Sequence, residues 1–305
     1  MTQLPPDRST VGTEARRDET RLLHKASIAE CVGLINDADR EVASAVAKVK
    51  PAIITLLEDA APRFVSGGGR LIYLGAGTSG RLGVLDASEA PPTFQVSPGK
   101  VIGLIAGGDR ALRESSEGLE DDAEGAAAEL CRLQLSEADT VLGIAAGGTT
   151  PYVLGAMKYC KALPSPPLTA MLSCSPIDVP EGCDHLIVVN TGPEVLTGST
   201  RMKAGTATKM VLNTISTTLM IQDGRVFENL MVDLRATNDK LLDRAIRIVS
   251  EVTGLDRERS YELLDRAERD VKAAIVMHRK SVPLHEARAV LERNHGLVHK
   301  ALEEV

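Results

Sequence analysis

Two hydroxyl side chains stand among three glycines in the first loop of interest, residues 75–80, which reads GAGTSG. The loop follows an apolar run and precedes a predicted helix, so the N–H groups and the dipole of the helix start would attract an anion. Together with the hydroxyls of Thr78 and Ser79, this combination favours binding of a terminal phosphate monoester. A tight turn with an ordinary helix cap is the weaker alternative.

The same first loop also has the G-x-G-x-x-G spacing of dinucleotide-binding turns. Such turns are followed about 20 positions later by an acidic residue at the end of the second strand. Here the second predicted strand ends in Gly107, Gly108 and Asp109, noticeably later than that spacing requires. The sequence therefore favours phosphate binding over dinucleotide binding.

Two further loops repeat the combination of small residues, hydroxyls and a helix start. The second loop covers residues 146–151 (AGGTTP) and the third loop covers residues 196–206 (LTGSTRMKAGT). In the second loop Thr150 precedes Pro151, the order typical of an N-cap followed by the first helical residue. Ligands of open α/β sheets gather where strands end, so we expect all three loops to bind one ligand. The candidate residues of these two loops are Gly148, Thr149, Thr150, Ser199, Thr200 and Lys203.

Carboxylates are the candidate groups for proton transfer. Glu89 lies in residues 86–93 (DASEAPPT), just after the helix that the first loop opens, and the prolines there predict an irregular backbone. A carboxylate held in such a segment could face a ligand in the first loop. Glu117 and Glu120 are three positions apart on a predicted helix, where a solvated acidic face is the favoured interpretation.

The histidines and cysteines do not predict a metal site. His295 and His299 are four positions apart, as two metal ligands could be, but without a third ligand nearby in the sequence we favour ordinary surface positions. The five cysteines include no C-x-x-C pair and are odd in number, which argues against a zinc site and against a disulfide framework. We expect no metal and reduced thiols.

Five short apolar runs alternate with helical stretches in the centre of the chain. This pattern predicts an α/β fold with a doubly wound parallel five-stranded sheet, covered by helices on both faces. The predicted strands cover residues 70–75, 100–106, 140–146, 168–173 and 185–190. The predicted helices between them cover residues 81–88, 111–133 and 152–162.

Helical segments flank the predicted sheet on both sides. Residues 1–20 are expected to form a mobile arm, and helices are predicted at residues 27–38 and 40–61. Beyond Ser199 no strand pattern returns, and helices are predicted at residues 206–221, 240–253, 257–277 and 285–302. We therefore expect an N-terminal arm with helices (1–50), a ligand-binding domain (51–235) and a small C-terminal helical domain (236–305).

The composition argues against several functional classes. The 42 acidic and 35 basic side chains give a net charge of −7, and only 2% of the residues are aromatic. A nucleic-acid binder would concentrate basic charge or aromatic stacking surfaces, so we expect no nucleic-acid partner. No stretch reaches the roughly 18 apolar residues of a membrane span, and the N-terminus lacks a signal-peptide core. We expect a cytoplasmic protein without a membrane partner.

Several sequence blocks, in the same order, make this chain resemble the N-acetylmuramic acid 6-phosphate etherases of the sugar isomerase (SIS) domain superfamily. The resemblance runs from about Ser27 to the C-terminus. The blocks are RLIYLGAGTSGRLGVLDASEAPPTF (70–94), GLIAGGD (103–109), EGLEDD (117–122), EVLTGSTRMKAGTATKMVLN (194–213) and NLMVDLRATNDKL (229–241). Glucokinase regulatory protein is also similar to these etherases.

The resemblance implies an SIS-type sandwich and a lyase of amino-sugar metabolism and peptidoglycan recycling. Such a lyase cleaves the D-lactyl ether of N-acetylmuramic acid 6-phosphate by elimination and then hydration, giving N-acetylglucosamine 6-phosphate and D-lactate. A phosphosugar substrate, a homodimer and no cofactor are implied. Glu89 and Glu120 become the catalytic acid/base pair, which reverses the solvated-face interpretation of Glu120. The implied substrate-binding residues are Thr78, Ser79, Gly80, Ser88, Glu117, Gly148, Thr149, Thr150, Ser199, Thr200 and Lys203.

This chain departs from the etherase pattern in its second loop. The family usually reads Ala-Ser-Gly-Arg-Thr-Pro-Tyr there, whereas this chain has Gly147, Gly148 and Thr149 between Ala146 and Thr150. A serine hydroxyl and an arginine cation are thus missing, and losing one charged hydrogen bond costs about 1.5–3 kcal/mol. Thr13-Glu14 matches the opening of the family, but Arg17 replaces its usual asparagine.

Two other functions stay open on the sequence. A sugar-phosphate-sensing regulatory protein would bind the same ligand class without needing Glu89 and Glu120, so the presence of both favours the etherase. An aldose–ketose isomerase acting on a hexosamine phosphate would use the same proton chemistry at C2. The blocks at residues 86–94 and 194–206 argue against that isomerase.

Overall fold

The computed structural model describes residues 7–8, 11–234 and 238–304, apart from the side chain of Glu117. The chain divides into two compact units. One unit, here called the sheet unit, comprises Met1–Ser88 and Gly99–Ser216, and the other, the helical unit, comprises Glu89–Pro98 and Thr217–Val305. The expected domain boundary between residues 235 and 236 lies outside the described residues, as do the first six residues of the expected arm.

The sheet unit contains the predicted five-stranded parallel sheet, with strand order β2-β1-β3-β4-β5. The strands are β1 (Leu71–Gly75), β2 (Val101–Ile105), β3 (Thr140–Ile144), β4 (Leu168–Ser173) and β5 (His185–Val188). Gly75 pairs with Ile105 on one side and with Ile144 on the other, so β1, β2 and β3 end level with one another. The first and second loops therefore leave the same edge of the sheet.

Helices cover both faces of this sheet. They are α1 (Ile28–Lys48), α2 (Lys50–Val65), α3 (Gly77–Phe94), α4 (Ala127–Leu133), α5 (Pro151–Lys161) and α6 (Lys203–Gln222), of which α3 and α6 continue past the unit boundary. Ile72 and Leu74 pack in one core with residues of α4 and α5. The intervening Tyr73 projects to the opposite face, because side chains alternate along a strand, and its hydroxyl reaches Asp86 of α3. The doubly wound prediction is confirmed.

The prediction of one helix over residues 111–133 is wrong for most of these residues. The chain instead forms 3₁₀ turns at Gly108–Leu112 and Glu117–Leu119, and only Ala127–Leu133 is α-helical. Gly118 and Gly125 weaken a helix, and the Asp122 side chain accepts a hydrogen bond from the Glu124 N–H at 3.0 Å, which competes with helical bonding. Glu120 therefore lies in an irregular segment rather than on a solvated helix face.

The N-terminal segment is docked on the sheet unit where a mobile arm was expected. Residues 12–14 and 18–20 form 3₁₀ turns, and Thr13 and Thr20 are buried. The Thr13 N–H donates to Ser175 Oγ at 3.0 Å, and Ser175 Oγ lies 3.2 Å from Thr13 Oγ1. A buried threonine bonded through its backbone and its side chain anchors this segment to the residues that follow β4.

The helical unit contains α7 (Asp239–Thr253), α8 (Arg257–Arg266), α9 (Val271–Lys280), α10 (Leu284–Arg293), α11 (Val298–Glu303) and the C-terminal ends of α3 and α6. The helices predicted over residues 257–277 and 285–302 are each interrupted. Glu268 and Arg269 adopt positive φ in the first, and His295 does so in the second. His295 and His299 are consequently not on one helix.

A small hairpin in the helical unit corrects the expectation that no strand returns after Ser199. It pairs β6 (Val226–Phe227) with β7 (Leu230–Met231). Within the described part of the chain, no helix has both the length and the apolar character needed to cross a membrane.

Candidate active site

The start of α3 combines hydroxyl side chains with open backbone N–H groups. Thr78 is partly buried and Ser79 is buried, and neither hydroxyl has a hydrogen-bond partner among the described residues. The first intrahelical bond at this end runs from the Gly80 N–H to Ala76 O at 3.2 Å, which leaves the three preceding N–H groups without an intrahelical partner. This helix start can accept an anion.

Gly80 allows the start of α3 to lie directly against the end of β1. A Cβ built on Gly80 would lie 2.6 Å from the carbonyl oxygen of Gly75 and 2.6 Å from Ile105 Cγ1. A larger residue would push the helix away from the sheet, so Gly80 contributes by its size. Its own N–H is already bonded to Ala76.

Glu120 brings a carboxylate to the same place. Its Oε1 lies 3.2 Å from a Cβ built on Gly77, the first residue of α3. The carbonyl oxygen of Glu120 accepts a hydrogen bond from the Tyr152 N–H at 3.0 Å, which ties this irregular segment to the start of α5. The structure therefore positions a partly buried carboxylate beside the open helix start. Glu117 lies in the preceding 3₁₀ turn, and its side chain is outside the described atoms.

The third loop meets the first loop at this edge of the sheet. Thr78 Cγ2 would lie 3.5 Å from a Cβ built on Gly205, in the first turn of α6. Ser199 and Thr200 precede that turn with partly buried side chains, and within the described residues their hydroxyls have no hydrogen-bond partner. These hydroxyls are available to the same ligand as Thr78 and Ser79.

Lys203 is bonded within the protein. It is 1% exposed, and its Nζ donates to Thr191 O at 2.7 Å and to Glu41 Oε2 at 3.1 Å. Glu41 also accepts two hydrogen bonds from Arg17, at 2.8 and 3.2 Å. The hydrogen bonds from Arg17 lower the pKa of Glu41 to about 2. Desolvation raises this pKa, whereas the hydrogen bond and the charge of Lys203 lower it further. Two of the three Lys203 donors are thus occupied by this arrangement.

Glu194 closes the start of α6, and sequence reasoning missed it. This fully buried carboxylate accepts hydrogen bonds from the N–H groups of Lys203 and Ala204, both at 3.0 Å. The next two N–H groups of the helix donate to Thr200 O and Met202 O. No local signal marks Glu194 as a cap, because it lies nine positions before the helix.

The second loop leads into α5, and the described N–H groups at the start of this helix already have acceptors. Thr150 occupies the N-cap position, as predicted, but its side chain makes no capping bond. Instead its carbonyl oxygen accepts from Val153 and Leu154, at 3.0 and 3.1 Å. Gly148 is buried with φ of +76°, while Thr149 is exposed. The second loop therefore offers an exposed side chain but no open N–H groups at its helix start among the described residues.

Glu89 and Ser88 lie further along α3. The helix continues through Pro91 and Pro92 to Phe94, so the irregular backbone predicted for residues 86–93 is wrong. Ser88 is exposed and its hydroxyl donates to Leu85 O at 2.8 Å. Glu89 is exposed and follows Gly77, the first residue of α3, by twelve positions on the same helix.

Asp86 is a second buried carboxylate that sequence reasoning missed. It accepts hydrogen bonds from Tyr73 Oη at 2.9 Å, Asn213 Nδ2 at 2.6 Å and Ser216 Oγ at 3.2 Å. Burial, followed by the charge of Asp86, raises the pKa of Tyr73 well above its usual value. The carboxylate thus joins β1, α3 and α6 and fixes the helix that carries the first loop.

The assembled groups suit a phosphorylated small molecule that undergoes proton transfer. The start of α3 offers N–H groups and hydroxyls to a phosphate, and Glu120 is within reach of the rest of such a ligand. In the described residues, no group of three histidine, cysteine, aspartate or glutamate side chains could hold a metal ion. The Glu120 carboxylate at this edge can serve as a general acid or base.

Two family models match the chain. Residues 51–161 match the glucokinase regulatory protein N-terminal SIS domain. Residues 228–273 match the C-terminal lid domain of glucokinase regulatory protein. The first match covers β1, β2 and β3 with the first and second loops, and the second covers β7, α7, α8 and the first three residues of α9.

Curated relatives match almost the whole chain. The N-acetylmuramic acid 6-phosphate etherase of Staphylococcus epidermidis is 46% identical, over 95% of this chain and 98% of its own. The N-acetylmuramic acid 6-phosphate etherase 1 of Bacillus licheniformis is 47% identical, over 95% of both chains. The etherase of Yersinia pestis is 50% identical, over 95% of this chain and 98% of its own. The chain belongs to the N-acetylmuramic acid 6-phosphate etherase family.

Proposed function

We propose that this protein cleaves the D-lactyl ether of N-acetylmuramic acid 6-phosphate, in amino-sugar metabolism and peptidoglycan recycling. The products are N-acetylglucosamine 6-phosphate and D-lactate, and no cofactor takes part. The observation that carries the proposal is the open start of α3, where Thr78 and Ser79 supply hydroxyls and the Glu120 carboxylate lies against Gly77. Membership of the etherase family supports the same reaction.

The reaction proceeds by elimination followed by hydration. The C1 aldehyde of the open-chain sugar acidifies the proton on C2, and Glu120 removes that proton as base. Glu89 protonates the ether oxygen as the bond to C3 breaks, so lactate leaves and a C2–C3 double bond remains. Glu89 then activates water, which adds its oxygen to C3, while C2 regains a proton. Each tuned carboxylate contributes about 10²–10⁴-fold to the rate.

The substrate phosphate binds at the start of α3, to Thr78, Ser79 and the helix end at Gly80. Ser199 and Thr200 lie in the adjoining third loop and contact the sugar phosphate through their hydroxyls. Lys203 supports the same loop through Thr191. The remaining substrate contacts come from Ser88, Glu117, Gly148, Thr149 and Thr150.

The protein acts as a homodimer in which Glu89 and Glu120 of one site come from different copies. Glu120 lies beside Gly77, and Glu89 follows Gly77 by twelve positions on α3. Twelve helical residues rise about 18 Å along the axis. The two carboxylates must act on neighbouring atoms, C2 and the oxygen on C3, so this spacing along one helix favours a second copy as the source of Glu89.

Mixing two inactive variants tests this shared site. Glu89→Ala and Glu120→Ala each remove one carboxylate, and a mixed dimer of the two keeps one site with both. Random assortment makes half of the dimers mixed, so co-expression should restore about a quarter of the wild-type activity. Activity that stays at the level of the separate variants, with mixed dimers present, would place both carboxylates on one copy.

The domain organisation and the compartment follow from the same proposal. Residues 51–235 form the sugar-phosphate-binding domain, residues 1–50 precede it with the N-terminal helices, and residues 236–305 form the C-terminal helical domain. The protein works in the cytoplasm. All five cysteines are free thiols, which suits a reducing compartment.

A sugar-phosphate-sensing regulatory protein is the second candidate. Both matching family models are described from glucokinase regulatory protein, and the second loop lacks the usual serine and arginine of the etherases. Such a protein would bind the phosphosugar and act on a protein partner without turning the sugar over.

An assay of D-lactate release separates the two candidates. The purified protein is incubated with N-acetylmuramic acid 6-phosphate, with Glu89→Ala as the control for contaminating activity. Lactate from the wild type alone supports the etherase. Absence of lactate, with phosphosugar binding still measurable by calorimetry, would favour the regulatory protein.

A further inference from the structure

A short N-terminal strap, residues 11–17, lies across the loops at the carboxyl edge of the sheet. Thr13 is buried and bonded to Ser175, and Arg17 is bonded to Glu41. The strap also touches the second loop, because Val11 Cγ1 would lie 3.2 Å from a Cβ built on Gly147. The strap is therefore held at both ends and runs beside the residues that follow β3 and β4.

The middle of this strap brings a carboxylate to the third loop. Glu14 Oε2 would lie 3.1 Å from a Cβ built on Gly198, whose φ is +73°. Gly198 directly precedes Ser199 and Thr200, the hydroxyl residues of the third loop. Glu14 is exposed and, within the described part of the chain, forms no hydrogen bond or ion pair. Glu14 is therefore an exposed carboxylate beside the third loop.

The charge of Glu14 decides what it can bind there. A carboxylate only accepts hydrogen bonds when ionised, and it repels other anions at short range. The phosphate and the lactyl carboxylate of the proposed substrate are both excluded as partners. The neutral donors that remain are the sugar hydroxyls and the amide N–H of the acetamido group.

We propose that Glu14 is a sugar-contacting residue, which accepts a hydrogen bond from a hydroxyl or the amide N–H of the bound amino sugar. This inference rests on the proposed function for the identity of the sugar, but not on turnover. The strap is then one wall of the site. Thr13 and Arg17 supply its anchorage, and Glu14 recognises the part of the ligand that carries no phosphate.

The test compares two probes on the full-length chain. N-acetylglucosamine 6-phosphate carries the sugar and the phosphate, whereas inorganic phosphate carries only the group assigned to the start of α3. Binding of each is measured by calorimetry for the wild type, Glu14→Gln and Glu14→Asp. Glu58→Gln, an exposed carboxylate change on α2, serves as the matched control. Because neither probe carries a lactyl group, the result is independent of whether lactate is released.

The Glu14→Gln variant should bind N-acetylglucosamine 6-phosphate about 10- to 100-fold more weakly than the wild type, because it loses a charged hydrogen bond. Inorganic phosphate should bind Glu14→Gln and the wild type equally, and Glu58→Gln should bind both probes normally. Glu14→Asp keeps the charge and should recover part of the lost affinity. Equal weakening of both probes by Glu14→Gln would show a merely structural role and overturn the proposal. Unchanged binding of both probes would overturn it as well.

Discussion

The starts of α3 and α6 differ in what occupies their backbone N–H groups, although both follow a loop of glycines and hydroxyl residues. At α3 the first three N–H groups have no intrahelical partner, and the Thr78 and Ser79 hydroxyls are free of partners among the described residues. At α6 the Glu194 carboxylate takes the first two N–H groups, and Lys203 is buried against Glu41 and Thr191. The first arrangement is available to a ligand, whereas the second is satisfied within the fold.

This difference shows that local composition does not decide whether a helix start binds an anion. A helix start binds a ligand when the protein leaves its N–H groups unoccupied, and it becomes structural when a distant carboxylate fills that place. Glu194 mimics at α6 the anion that we assign to α3. We therefore expect mutations at the start of α3 to change turnover and mutations at the start of α6 to change stability.

Glu120→Gln should give the largest effect, because it removes the carboxylate that lies beside the start of α3. We expect kcat to fall about 10²–10⁴-fold. The measurement is steady-state D-lactate release. Glu124→Gln, an exposed change in the same irregular segment, is the matched control and should retain kcat. A Glu120→Gln enzyme with wild-type kcat would remove this residue from the mechanism.

Glu194→Ala should give the next largest effect, and it should act on stability. Without the carboxylate, two buried N–H groups at the start of α6 lose their acceptor, which costs about 2–4 kcal/mol of unfolding free energy. Urea denaturation measures this loss. Glu194→Gln keeps one oxygen acceptor and should lose less, while Ser79→Ala at the open start of α3 should unfold like the wild type. Equal stability of Glu194→Ala and the wild type would contradict the capping role.

Glu41→Gln should give the smallest effect, a loss of unfolding free energy whose size depends on pH. The pKa of Glu41 is lowered from 4.5 to about 2 in the fold, so its ionised form stabilises the protein above about pH 4.5. That contribution is lost as the pH falls from about 4.5 towards 2. Because half of the side chain is exposed, we expect at most about 1 kcal/mol. The measurement is the unfolding free energy at pH 7 and at pH 3.

The wild type and Glu41→Gln should therefore differ in stability at pH 7 and converge at low pH. A difference of the same size at both values would mean that the ionisation of Glu41 does not stabilise the start of α6. Ser79→Ala, at the start of α3, leaves Glu41 and its partners in place and should show the wild-type dependence on pH.

The sheet and the loop positions could be predicted because their signals are local. Buried parallel strands are continuous apolar runs, and Pro151 after Thr150 marks the start of α5. The break at Glu268 and Arg269 could not be predicted, because these two residues adopt left-handed backbone without a glycine nearby. The break at His295 has a local signal, because Gly296, with φ of +75°, follows it.

The long-range contacts of the site could not be predicted from the sequence. Lys203 and Glu41 are 162 positions apart, as are Thr13 and Ser175, so no periodicity or spacing relates them. The sequence places Lys203 among the substrate contacts, whereas its Nζ is bonded to Glu41 and Thr191 in the structure. The roles of Glu89 and Glu120 remain predictions from the family motifs.

The central claim is that the substrate phosphate occupies the start of α3, and paired double variants test it most directly. Thr78→Val with Ser79→Ala removes the hydroxyls at α3, and Ser199→Ala with Thr200→Val removes those before α6. The measurement is kcat/KM for D-lactate release from N-acetylmuramic acid 6-phosphate. We predict a loss of about 100-fold or more for the first pair and less than about tenfold for the second. Equal losses for both pairs, or a larger loss for the second, would contradict the account.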